Sequence, residues 1–502
     1  MAETPRTHHR PELHLTAEDG LLFAPAGALL DGDTWHVFHQ YRPEPDAGPR
    51  WAHQFSDQAP FVWDICDDVL APKGGETQIR AGSVVSNKGG VDLYYTSVTE
   101  AGSAIHVARI EDLAATTESV SENALDLDAG VIRIGKVVSD TDSYTKFRSP
   151  CVVPDWGDEN NREDGHEGWL MLAVSGPSDK PDLVILTSAD GRDWQISGPL
   201  TFKGLTGLSD DAVLVSPRMI RLRDEVDHEI YDVVIVTIER DGVDISGYVV
   251  GQLNGTEFDV VTPFTRIDHG HDFSRPRNTN YTEGTQQVED RYAEAHIFGL
   301  MNGIGRLDDP TRHKSWKEEG WANTISVPRV VTLQEGTLFQ TPPSGLLEAI
   351  YESDAAAGWT ALCDIPAGSS VSIELRDQKR NTAAIIHHRH NVLVIDRSMN
   401  PYYEGDPVAM APLSAEDTDS LFIIVDGSTV EVFADGGDVA MASRVYFENG
   451  PIYNFEVSTA GDATILNAQA HYPDDFSTVG LPDLDELTQF DADEHPHEGP
   501  VR

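Results

Sequence analysis

Cysteine is nearly absent. Three residues in 502, Cys66, Cys151 and Cys363, lie far apart without a C-x-x-C pair, which leaves no material for a disulfide framework or a zinc site. They read as buried, inert thiols. Long hydrophobic runs are missing too. No apolar stretch reaches the ~18 residues that a membrane-spanning helix needs, so no membrane partner is expected. The opening "MAETPRTHHRPELHLT" has no apolar segment between a basic start and a small-residue cleavage site, which points to a cytoplasmic location. Basic residues are scarce as well: 36 Lys and Arg against 84 Asp and Glu give a formal charge of −48. A field of that sign repels phosphate backbones and anionic lipid alike, so nucleic acid is excluded as a partner. The acidity reads as a solvated face. No cofactor and no metal is expected.

What the chain does contain is β-rich segments punctuated by turns. Its length exceeds what one core fills, and its hydrophobic residues, 39% of the total, are spread evenly. Short strands fall into five similar groups. The first is "ALLDGDTWHVFHQY" with "RWAHQFSD", and the second is "AGSVVSNKGGVDLYYTSV" with "SAIHVARI". The third is "SPCVVPD", "GWLMLAVSG" and "DLVILTSADGRDW", and the fourth is "VSPRMIRL", "EIYDVVIVTIE" and "ISGYVVGQL". The fifth includes "AEAHIFGLMNG" and "ANTISVPRVVTL". Each places β-branched and aromatic residues in strands and Gly or Asp in turns. Such a unit is too small to bury its own faces and reads as a propeller blade, with an array of β-sandwiches as the alternative.

After "LFQTPPSGLLEAI" the texture changes to alternating strands such as "SVSIELRD" and "NVLVIDRS", which suit a two-sheet sandwich. The expectation is all-β: a five-bladed β-propeller over residues 1–340, a β-sandwich over 341–471, and an acidic, loosely ordered tail over 472–502.

With the groups laid out, the chain resembles glycoside hydrolase family 32, the β-fructosidases that include invertase, sucrose-6-phosphate hydrolase, inulinase and levanase. "LHLTAEDG" and "HVFHQYRP" resemble the family's opening around its Asn-Asp-Pro-Asn-Gly motif. "WAHQFSD" is similar to Trp-Gly-His-Ala-x-Ser, and "AGSVV" stands where Ser-Gly-Ser-Ala-Val is found. "ISVPRVVTLQEGTLFQTP" resembles the closing propeller strand, and "IIVDGSTVEVFADGG" the sandwich signature. The resemblance covers nearly the whole chain and implies a five-bladed propeller followed by a sandwich. It also implies retaining cleavage of β-fructofuranosides. That chemistry needs two carboxyl groups roughly 5–5.5 Å apart, one as nucleophile and one as acid and base.

The matching positions carry neither. In "FAPAG" Ala24 stands at the nucleophile position, in "FRSP" Ser149 replaces the sugar-holding Asp, and in "VSP" Val215 occupies the acid/base position. Glu18, Asp19, Asp210, Asp211 and Asp272 are the nearest acids. A displacement of four residues along a strand moves a side chain about 13 Å, too far for rescue. Loss of general acid catalysis alone costs about 10²–10⁴ in rate.

Other pocket positions survive. The resemblance implies that Gln40, Trp51, Ser83 and Arg148 supply hydrogen bonds and a stacking face to a small carbohydrate. The stretch "HGHDFSRPRNTN" brings His269, His271, Asp272, Arg275 and Arg277 together as a local positive spot. There they either hold a phosphate or carboxylate on an anionic sugar or pair with surface acids. Three functions follow: a glycosidase with an altered site, a sugar-binding pseudoenzyme, or a partner that modulates an active relative through the sandwich.

Overall fold

The structure, a computed structural model, describes residues 8–44, 47–118, 120–123, 125–155, 168–240, 243–287, 290–302, 313–403, 406–414 and 418–473. From residue 474 onward the expected tail lies outside the described residues.

Short hairpin connections build five antiparallel meanders. Between Asn87 and Gly90, for example, Lys88 and Gly89 adopt φ of 50° and 77°, the left-handed pair that matches strand twist in a two-residue turn. Blade 1 runs Gly20–Asp31, Thr34–Arg42, Arg50–Ser56 and Asp64–Ile65. Blade 2 runs Glu76–Asn87, Gly90–Thr99, Gly102–Ile110 and Val131–Lys136. Blade 3 comprises Arg148–Pro154, Trp169–Ser175, Asp182–Ser188 and Gln195–Pro199. Blade 4 comprises Val213–Arg223, Ile230–Arg240, Val243–Asn254 and Glu257–Arg266. Blade 5 is Ser274–Tyr281, Ala295–Met301, Arg329–Gln334 and Thr337–Thr341. The first strands of the five blades touch in a closed ring around one axis. Residues 28–30 pair in parallel with residues 279–281, joining blade 1 to blade 5 and removing two free edges.

No blade buries both of its faces alone, so apolar side chains fill the wedges between blades. Phe38, Val84, Leu93 and Tyr95 lie in one such wedge, and Met171, Leu186 and Phe147 in another. Each fully buried side chain of this kind contributes about 1.5–3 kcal/mol.

Beyond the helix Leu346–Glu352, ten strands form two five-stranded sheets packed face to face. Ser370–Asp377 alternates half-buried and buried positions, with Val371, Ile373 and Leu375 turned inward, as the sandwich reading of "SVSIELRD" requires.

The seam between propeller and sandwich is made of buried ion pairs. Arg329 donates to Glu431 at 2.6 and 3.0 Å and to Asp268 at 2.9 Å. Arg397 donates to Asp272 at 2.8 Å, which also accepts the Arg444 backbone N–H. His14 bridges Asp426 and Glu431 at 2.8 and 3.1 Å.

Candidate active site

Every inner strand breaks register near one end. The irregularities fall at 22–27 in blade 1, 80–83 in blade 2, 148–151 in blade 3, 215–218 in blade 4 and 274–277 in blade 5. In four of them a proline sits in the break: Pro25, Pro150, Pro217 and Pro276. Proline has no N–H to give to a ladder, so a bulge is where an inner strand tolerates it. The residues before three of these prolines, Ser149, Ser216 and Arg275, hold φ near +50°. Strained backbone of this kind concentrates at functional sites, and here it recurs at the same point of three blades.

This end of the axis is a cationic mouth. Arg80, Arg148, Glu239 and Arg275 come from blades 2, 3, 4 and 5 and act on one another's charge. Burial, then the neighbouring Arg80, pushes Arg148 below the usual guanidinium range, while Glu239 opposes the shift. Arg148 is anchored by the Gly176 carbonyl at 2.7 Å. Arg42 of blade 1 lies over the Phe23 ring at 5.2 Å.

Where the resemblance expects carboxylates, the side chains are short or apolar. Ala24 is buried in the wedge core beside Ala81 and faces Gln40 in the ladder. Ser149 donates its backbone N–H to the Thr96 hydroxyl at 3.0 Å. Val215 is half-buried opposite Thr237. Two acids at this mouth, Glu239 and Asp244, face each other in the blade 4 ladder. Both accept from Arg275, at 3.3 and 2.7 Å.

The remaining expected contacts divide. Gln40 sits at the mouth, its Oε1 accepting the Ala81 N–H at 3.0 Å. Trp51 is corrected: it is 0% exposed, its Nε1 donates to the Arg80 carbonyl, and its ring faces are used in packing. Ser83 is buried, its hydroxyl joining blades 2 and 3 by accepting the Val152 N–H at 3.2 Å. His271 and Asp272 are corrected too. His271 meets Ser443 at 2.8 Å, and burial lowers its pKa to about 3. Asp272 is held by Arg397 and Arg444, so both residues belong to the seam. His269, lowered by burial to about 4, hydrogen-bonds through its backbone to Ala440 of the sandwich. Arg275 faces the mouth but is paired with acids, the second of its two expected fates. Arg277 is 3% exposed, its guanidinium donating to the backbone carbonyls of Arg275 and Pro276.

Sequence reasoning missed Arg80, Glu239 and Asp244. Arg80 stands immediately before the "AGSVV" segment and was within reach; Glu239 and Asp244 lie at a hairpin end that no motif marks. Among the described residues no group of three or more His, Cys, Asp or Glu is arranged to hold a metal ion. No helix among them is long and apolar enough to cross a membrane.

Comparison with known proteins agrees with this architecture. The family model for the glycosyl hydrolases family 32 N-terminal domain matches residues 14–342, and that for the family 32 C terminal matches residues 340–472. A sucrose-6-phosphate hydrolase of Bacillus subtilis is 24% identical over 477 residues, covering 87% of this chain and 89% of the relative. Among solved structures, a Bombyx mori β-fructofuranosidase, in a mutant with an aspartate replaced by alanine and in complex with sucrose, superposes with a TM-score of 0.70. It is 17% identical and covers 93% of this chain and 94% of its own. The sucrose-6-phosphate hydrolase of Lactobacillus gasseri gives 0.71 at 16% identity, covering 94% of each chain. At these identities the superpositions show the fold.

Proposed function

This chain belongs to glycosyl hydrolase family 32, and from that premise we propose that it recognises a β-fructofuranoside at the cationic mouth without the family's standard retaining hydrolysis. What supports the reading is the content of the mouth: Ala24 and Val215, which the resemblance sets at the nucleophile and acid/base positions, are hydrocarbon, while Arg80, Arg148 and Arg275 come from three blades and lie within range of one another's charge. A methyl group neither attacks an anomeric carbon nor protonates a leaving oxygen. The Bacillus subtilis relative is named for sucrose 6-phosphate and the Bombyx mori neighbour holds sucrose, which supports this substrate class. The arginines favour a phosphorylated sugar, since guanidinium groups match phosphate oxygens in charge and geometry. Buried, unpaired Cys66, Cys151 and Cys363 suit a reducing, cytoplasmic setting.

Thermal unfolding with sucrose, sucrose 6-phosphate and a short fructan tests binding. A saturable rise in midpoint, larger for sucrose 6-phosphate than for sucrose, is expected. No rise with any of the three contradicts the reading.

A second reading rests on Glu239 and Asp244. As a facing pair, with Glu239 acting on the charge of Arg148, they are candidate acids for an altered hydrolysis. Both come from one hairpin and both are engaged by Arg275, which disfavours attack across a sugar ring. Loss of any turnover in Glu239→Gln would favour it.

A further inference from the structure

Deeper along the axis, charge is buried without balance. Arg218 of blade 4 is 1% exposed and Arg277 of blade 5 is 3% exposed. Arg218 donates to the carbonyls of Pro150 at 3.2 Å, Gly82 at 3.0 Å and Pro217, and meets the Cys151 thiol. Arg277 donates to the carbonyls of Arg275 and Pro276 at 3.0 and 3.1 Å. The Nε of each is buried with no acceptor. No carboxylate pairs with either guanidinium among the described residues, and each lies within range of the other's charge.

A guanidinium does not discharge to escape burial, so the alternative is a counter-ion. The other fully buried arginines have solved this problem within the protein. Arg329 and Arg397 end on carboxylates. Arg444 lies over the Trp321 and Tyr446 rings at 5.4 and 5.6 Å, with an acceptor for all three nitrogens.

We propose that Arg218 and Arg277 bind a small inorganic anion of halide size on the propeller axis, between the two mouths. Their near-complete burial excludes a ligand as large as a sugar phosphate. At the other end of the inner strands a cavity of about 780 Å³ is lined by Val85, Val153, Asn278 and Met219, the last two being chain neighbours of Arg277 and Arg218. The site adjoins the sugar mouth, since Arg277 donates to the Arg275 carbonyl, but the proposal does not depend on what binds there.

Two measurements test it. Crystals of the full chain soaked in sodium bromide should show an anomalous peak at hydrogen-bond distance from the Arg218 and Arg277 guanidinium groups; absence of a peak there overturns the proposal. In solution, thermal midpoints are compared in sodium chloride and sodium gluconate at one ionic strength, which cancels general screening of so acidic a chain. The wild type should unfold a few degrees higher in chloride, and Arg277→Gln and Arg218→Gln should lose that difference. Equal midpoints for the wild type in the two salts, or a chloride effect retained in both variants, overturns it. Should a variant fail to fold, the bromide experiment on the wild type decides.

Discussion

At the seam between propeller and sandwich, Arg329 and Arg397 end on buried carboxylates; on the propeller axis Arg218 and Arg277 end on backbone carbonyls. The same residue type thus does two jobs. Arg329 with Asp268 and Glu431, and Arg397 with Asp272, close charge balances within the fold and fix how the two domains meet. Arg218 and Arg277 leave theirs open, and at the near mouth Arg80 donates to the Gln78 side chain and Arg148 to backbone carbonyls. A histidine or arginine in a family-like motif therefore says little until its partner is known: "GHDFSRPRN" splits between the two regimes, its first half in the seam and its last arginine on the axis.

The sharpest way to break this comparison is at the seam. Arg329→Met leaves Asp268 buried without its cation and Glu431 with His14 alone, and a loss of about 3–5 kcal/mol is expected in chemical denaturation. A loss under ~1 kcal/mol would mean that the seam is not held by charge.

Proton linkage separates the seam from blade 1. Burial alone would lower His14, but hydrogen bonds to Asp426 and Glu431 outweigh it and raise its pKa to about 9. Its contribution is complete below the unfolded value of 6.5 and disappears as pH rises through about 9. His36 and His39 of blade 1 are lowered by burial to about 4 and about 3, so they stay neutral when folded. The unfolded chain takes up those protons below 6.5, and stability falls as pH drops toward 4. Stability measured from pH 4 to 10 should therefore decline at both ends, and His14→Gln should flatten only the alkaline limb.

A smaller effect is expected at the mouth. Arg148→Ala removes a half-buried cation anchored only by backbone carbonyls. Stability should change by less than about 1 kcal/mol, while affinity for sucrose 6-phosphate should fall by about 1.5–3 kcal/mol, the range for a charge-assisted hydrogen bond. An unchanged affinity would place the phosphate elsewhere. The smallest effect is predicted for Ala24→Asp combined with Val215→Glu. Ser149 and the Arg275 ion pairs have altered the rest of the mouth, so release of reducing sugar should stay far below rates ordinary for the family.

The architecture was legible because its signals are local. Alternation in "SVSIELRD", hairpin turns such as "NKGG" and the grouping of strands each reflect a side chain's immediate surroundings. The groups omit the outermost strands Val131–Lys136, Gln195–Pro199 and Glu257–Arg266, and Ser274–Tyr281, the inner strand of blade 5, reads in the sequence as a cluster of site residues. Its sequence "SRPRNTNY" is polar, so the apolar alternation that marks outer strands is missing. Yet Pro276 carries the same mark as Pro25, Pro150 and Pro217, and that repeat across blades was present in the sequence. The site was legible only in part. The resemblance sets Ala24 and Ser149 beside Pro25 and Pro150, and Val215 two residues before Pro217. The seam contacts of His271 and Asp272 depend on Ser443, Arg397 and Arg444, more than a hundred residues away, and no local pattern announces them. Trp51 illustrates a further limit, since a motif tryptophan looks the same whether its face is open or packed.

The central claim is that sugar recognition here is uncoupled from the family's hydrolysis. Its most direct test is the rate of reducing-sugar release when the purified full chain is incubated with sucrose 6-phosphate at a concentration that saturates its thermal stabilisation. The account predicts full occupancy with negligible release. Release at rates ordinary for the family would contradict it and would require a working pair of carboxylates at the mouth.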